Sequence, residues 1–178
     1  MFKIKFILLF LILHWFFYPQ YSFLTWEEKN TKVYELQKYF DWIDYDVFYW
    51  INSLSKQFEI DKVLVCSLIQ YESRGRNIRC YQQNFNNTYD HGYMQINDVH
   101  IPTGQTSQYL YEPRVNFRIG INYLSFCLRR ANNDYMTALR MYNQGHNGNA
   151  NRYKNWIYVA RILNKYIKTK EKINENKN

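Results

Sequence analysis

The chain has 178 residues, enough for one domain with a substantial core and too few for two ordinary ones. Its 23 Lys and Arg against 15 Asp and Glu give a formal net charge of +8, which suits an anionic partner (nucleic acid, a lipid surface or an acidic wall polymer) without ranking them. Three cysteines, Cys66, Cys80 and Cys127, allow at most one intramolecular bridge; four scattered histidines form no closely spaced Cys/His cluster, so neither a metal site nor a cofactor is expected.

The head of the chain, Met1-Phe2-Lys3-Ile4-Lys5, carries two positive charges and leads into an apolar run over 6–18 broken only by His14, the pattern of an export signal. The run is short for a spanning helix, which needs roughly 17–25 apolar residues. No small-x-small cleavage site follows it, so 1–18 reads as a signal peptide or as an uncleaved N-terminal membrane anchor through 6–18, with a buried core helix as the third reading. The first two export the domain to the periplasm or cell envelope, and both conflict with a nucleic-acid partner, which is set aside.

Residues 19–55 read as a linker with N-terminal helices, the amphipathic stretches being 31–43 and 46–58. A further helix starts after Asp61 as its cap. In it Leu64, Val65, Leu68 and Glu72 share one face, which is expected to point at the core. A carboxylate in the last turn of such a face loses hydration and lies near the negative end of the helix dipole; both favour its protonated form. Glu72 is therefore a candidate proton donor near neutral pH.

The stretch 74–90 is polar, with Gly75 as a helix stop and Asn84, Asn86 and Asn87 as turn formers. A strand signal is confined to 93–96. Pro113 opens a helix in which Val115, Ile119, Tyr123 and Phe126 recur at helical spacing as far as Arg130. Asp134 caps a helix to Tyr142, which Gly145 and Gly148 end before a last helix over 152–167. Arg161, Lys165, Lys168, Lys170, Lys172 and Lys177 make the end of the chain basic, and 169–178 reads as a flexible tail. The fold class is mainly α, with no internal repeat.

The order of three pieces carries the functional signal: Glu72-Ser73 at a helix end, then Asp90-His91-Gly92-Tyr93-Met94-Gln95-Ile96-Asn97, then Ala138-Leu139-Arg140-Met141-Tyr142-Asn143-Gln144-Gly145. Over 56–168 this resembles the SLT-type lytic transglycosylase catalytic domain of the lysozyme-like superfamily, and it is similar to the specialised transglycosylases of secretion systems. The resemblance implies a lysozyme-like fold with the catalytic helix ending at Glu72. It implies cleavage of the β-1,4 bond of peptidoglycan glycan strands, with Glu72 as general acid and base and a 1,6-anhydromuramyl product. It also implies that Ser73 orients Glu72 or the substrate, that Met94 and Gln95 line the cleft, and that Tyr142 and Asn143 form its other wall, Tyr142 bonding near Glu72 or the sugar. A secretion or other envelope-spanning apparatus is the partner it suggests. Tyr93 and Met141 depart from the family's leucine and alanine.

Asp90 leaves two alternatives open. Its place ahead of Gly92 also resembles the second carboxylate of animal-type lysozymes, which would make the protein a hydrolytic muramidase using Glu72 and Asp90. Its plainer reading is a turn-capping aspartate before Gly92. A non-catalytic wall-binding module is the remaining alternative.

Overall fold

The computed structural model describes residues 33–84, 86–145 and 153–176; the apolar head, Gly148 and Lys177 lie outside them. Among the described residues, five helices longer than two turns stand in this order: α1 (Tyr45–Gln57), α2 (Lys62–Glu72), α3 (Pro113–Arg130), α4 (Tyr135–Gln144) and α5 (Tyr153–Glu175). Between α2 and α3 lie a two-stranded antiparallel hairpin, β1 (Asp90–His91) with β2 (Ile96–Asn97), and two 3-10 turns, Asp98–His100 and Ser107–Tyr111. The expectation of a mainly helical, lysozyme-like domain matches this architecture.

Three helix starts are set by aspartates whose side chains take an otherwise unpaired backbone N–H. Asp44 accepts from Val47 N at 2.8 Å, Asp61 from Val63 N at 2.8 Å, and Asp134 from Thr137 N at 3.0 Å. Pro113 supplies the fixed φ that opens α3. Left-handed Asn132 and Asn133 turn the chain from α3 into α4, a conformation asparagine tolerates better than most residues.

Helix α2 is the centre of the molecule. Every residue from Val63 to Ile69 is buried, so the single apolar face expected from the sequence is instead a helix enclosed on all sides. α5 packs along it most extensively, and α1 adds a second flank. Beyond Ser73 the chain turns left-handed at Arg74 and Gly75, and Trp42 covers Gly75, its Nε1 donating to Gln70 Oε1 at 2.7 Å.

Three boundaries differ from expectation. Of the 31–43 stretch, only 33–37 among the described residues is helical; Phe40 and Ile43 are buried from turns instead. The strand expected at 93–96 is mostly the tight turn of the hairpin, flanked by two-residue strands. The last helix continues past 167 to Glu175, because residues expected in a loose tail are anchored: Thr169 is buried, Lys170 Nζ meets Asp61 Oδ2 at 2.8 Å, and Ile173 packs on the core. Lys165 likewise donates to Tyr39 O at 2.7 Å. Part of the late positive charge therefore fastens α5 to the body.

The helix over 113–130 forms as expected, but its deepest face is Phe117, Ile121, Leu124 and Leu128. Ile119 and Tyr123, from the predicted stripe, lie on its half-buried flank.

Candidate active site

Glu72 is the last residue of α2 and meets a cleft of about 280 Å³ between the hairpin, α3 and α4. It is partly exposed to that cleft yet ringed by protein. Burial pushes its pKa up to about 7; a hydrogen bond from Tyr158 opposes this and the charge of Asp90 adds to it. Tyr158 Oη stands 2.5 Å from Glu72 Oε1. Burial, with Glu72 beside it, holds the Tyr158 hydroxyl well above its usual pKa, so it stays an O–H donor.

Tyr158 was not singled out from the sequence. Its signal lies in α5: Tyr158, Val159 and Ile162 form the buried stripe, and a tyrosine hydroxyl inside a core requires a partner.

The hairpin forms the facing side. Its register sets Asp90 against Asn97 and His91 against Ile96. Gly92 opens the turn at φ +75, and a Cβ there would fall 2.2 Å from Asn116 Nδ2. Buried Asn116 is the anchor: its Oδ1 accepts from Met94 N at 2.8 Å, and its Nδ2 donates to His91 O and Leu110 O, each at 2.8 Å. Behind the hairpin, buried His91 lies between Asp98 Oδ1 (2.6 Å) and Tyr111 Oη (3.0 Å).

Glu72, Asp90, Gln95, Tyr142 and Asn143 all line the one cleft. Gln95 Nε2 donates to Gly92 O (2.7 Å) and Ile78 O (3.1 Å), which braces the turn and leaves the amide oxygen as acceptor. Tyr142 donates to Met94 O at 3.0 Å; the partner of Glu72 is Tyr158. Tyr123 lies 5.5 Å from the Tyr142 ring and, with Ile119, gives the cleft an apolar side. Ile119, Tyr123, Asn84, Asn97 and His100 join the cleft without having been assigned to it from the sequence.

Ser73 and Met94 stand behind the cleft. The Ser73 hydroxyl donates to Tyr93 O at 2.7 Å, so it positions the turn. The Met94 side chain is wholly buried against α3, where Gly120 makes room for it: a Cβ on Gly120 would lie 2.5 Å from Met94 Sδ. Met94 serves the cleft through its carbonyl. Tyr93 packs on Phe117 with ring centroids 4.9 Å apart, and neither it nor Met141 lines the cleft. Asp90 is not a turn cap before Gly92, since Gly92 N donates to Ile78 O; Asp90 Oδ1 instead accepts from Asn97 Nδ2 (2.7 Å) and Asn84 Nδ2 (3.0 Å).

A shielded carboxyl at the end of a central helix thus shares one cleft with a hairpin carboxylate. The chain belongs to the transglycosylase SLT domain family, whose model matches residues 49–162. In fold it is similar to an inactive mutant of the lytic transglycosylase Slt from Pseudomonas aeruginosa, with a TM-score of 0.57 and 18% sequence identity. That likeness covers 83% of this chain and 30% of the other, so the chain spans under a third of that protein's length. A search of curated proteins gives no match.

Proposed function

We propose that the protein is a peptidoglycan lytic transglycosylase that cleaves the β-1,4 bond between muramic acid and glucosamine residues, with Glu72 as its acid and base. The observation that carries this is the Glu72 carboxyl: pKa raised to about 7 by burial, a tyrosine donor on one oxygen, and an open cleft before it. Protonated Glu72 gives its proton to the glycosidic oxygen as the C1–O bond breaks and positive charge spreads over C1 and the ring oxygen. The carboxylate so formed keeps the Tyr158 bond. It then takes the proton of the muramic C6 hydroxyl, whose oxygen closes on C1. Glu72 ends protonated, the leaving strand carries a new hydroxyl, and the product ends in a 1,6-anhydro ring without consuming water. Because the nucleophile belongs to the substrate, proximity replaces a second protein nucleophile.

A hydrolytic muramidase is the second reading, favoured by Asp90 in the same cleft. Digestion of purified sacculi with mass analysis of the released muropeptides separates the two: anhydro ends support the transglycosylase, and reducing ends carrying one added water establish the muramidase. A wall-binding module without turnover is tested by Glu72→Gln, which abolishes release while sparing sacculus binding if Glu72 is the acid. Equal release by both proteins removes Glu72 from that role.

The site of action follows as part of the same proposal. The apolar head exports the domain to the periplasm or cell envelope, either cleaved or retained as an anchor, and local wall opening serves an envelope-spanning apparatus such as a secretion system. N-terminal sequencing of the mature protein distinguishes signal from anchor.

A further inference from the structure

Asn97 stands where β2 runs into the 3-10 turn Asp98–His100, and both ends of its side chain are in use. Its Oδ1 accepts from Val99 N at 3.1 Å as the cap of that turn. This bond fixes the amide's orientation: Oδ1 is committed to a backbone N–H, so the group facing the cleft is Nδ2, which has only protons to offer. Nδ2 donates to Thr88 Oγ1 at 2.8 Å and to Asp90 Oδ1 at 2.7 Å, directly across the register pair. Asn84 Nδ2 brings a second proton to the same oxygen at 3.0 Å. An oxygen that receives two N–H donors is held as an acceptor, and Asp90 Oδ2 accepts no hydrogen bond among the described residues.

We propose that Asn97 is a positioning residue for catalysis, its capped amide holding the Asp90 side chain in place as a hydrogen-bond acceptor in the cleft it shares with Glu72. A fixed negative charge there stabilises the positive charge that develops at C1, whether the product is anhydro or hydrated. The inference rests on the reading of Glu72 as the acid of this cleft, and the two fail in different ways.

The decisive variant is Asn97→Asp. Aspartate caps a helix as well as asparagine, so the 3-10 turn is kept, while the donor facing Asp90 becomes an acceptor of the same shape. The expected result on purified sacculi is a kcat lower by about tenfold or more with KM little changed. As pH falls and the new carboxyl gains a proton, it donates to Asp90 as the amide did, so the ratio of variant to wild-type rate climbs toward acid pH. The titratable and charged groups around Asp90 are Glu72 on α2, Arg79 and Cys80 in the segment bridged to β1, Tyr89 and His91 in the hairpin, His100 and Asp98 on the 3-10 turn, Tyr123 on α3 and Tyr142 on α4. All are common to both proteins, so a difference in profile belongs to position 97. Asn97→Ser, which retains a cap and one O–H donor, keeps more of the rate.

A folded Asn97→Asp with wild-type kcat and pH profile overturns the proposal. Should that variant not fold, a folded Asn97→Ser with wild-type kcat overturns it, and a lowered kcat at unchanged KM supports it. If Glu72→Gln retains full activity, the underlying reading fails; if Glu72→Gln is dead and the position 97 variants are normal, only this inference fails.

Discussion

Tyr158 and Glu72, 86 positions apart, meet at 2.5 Å and join the last helix to the end of the central one. The hydroxyl favours the ionised form of Glu72 against the burial that disfavours it. Tyr158→Phe therefore raises the Glu72 pKa above its value of about 7, and the alkaline limb of the pH–rate profile moves upward. The same change withdraws a donor from the carboxylate formed on proton transfer, so kcat at neutral pH falls about tenfold. Rates of sacculus digestion across pH 5–9 check both; an unmoved limb contradicts the assignment.

With Glu72 as the proposed acid, kcat/KM of the wild type is expected to fall as pH rises through about 7, since that acid must carry its proton when substrate arrives. Glu72→Gln lowers turnover by about three orders of magnitude, the general-acid contribution. Single-turnover release of muropeptides at saturating enzyme measures it apart from binding.

Stability responds to the same group with opposite benefit. The native pKa of Glu72 is raised from the ordinary 4.5 to about 7, so between these values the unfolded chain has lost a proton that the native state keeps. Stability then falls as pH rises through this window, by about 3 kcal/mol in total, and the loss is complete above it. Glu72→Gln removes that loss. Urea unfolding at pH 5 and pH 8 is expected to show the variant gaining on the wild type by most of that amount, part of the loss having already occurred below pH 5.

Gly120→Ala pushes a methyl group to within 2.5 Å of Met94 Sδ and 2.8 Å of Met94 Cβ. Overpacking of this kind costs about 1–3 kcal/mol. Since Met94 also carries the carbonyl that Tyr142 binds, activity falls too. In the double variant with Met94→Ala the two losses are less than additive, because Sδ and Cε are gone and only the Cβ contact remains; additive losses would place the damage elsewhere.

Asp61 caps α2, pairs with Lys170 and accepts from Tyr166 Oη at 3.1 Å. Burial works to raise its pKa, but the Lys170 and Val63 donors outweigh it and the net shift is downward. Its stabilising share is therefore present above the unfolded value and lost as pH falls through the lowered native one. Asp61→Ala costs about 1–2 kcal/mol at neutral pH, mostly the cap, and Lys170→Met costs under about 1 kcal/mol because that pair is half-exposed. Chemical denaturation of both variants at pH 7 and pH 3 tests the ranking and the pH trend.

The helices were legible wherever local chemistry marks an end: Asp61, Pro113 and Asp134 each open one where the sequence places it. Glu72 was legible because a carboxylate closing an apolar run is an anomaly in one dimension. What stayed hidden depended on which side of a residue the fold uses. Ser73 and Met94 fall within motifs, yet packing turns both side chains away from the cleft and leaves their neighbourhood to act through backbone carbonyls. Tyr158 and Asn97 were missed because their partners, at separations of 86 and 7 residues, meet them only through tertiary packing and strand register. The reach of α5 was underestimated for the same reason, as Asp61 and Tyr39 anchor it from far away in sequence.

The hydrogen bond from Tyr142 to the Met94 carbonyl spans from α4 to the hairpin turn, and Asn116 ties that turn to α3. The two walls of the cleft are thus one truss. Its width is gauged by the length of a single tyrosine side chain, and the slot has a preset calibre whose widening must first break the Tyr142–Met94 strut.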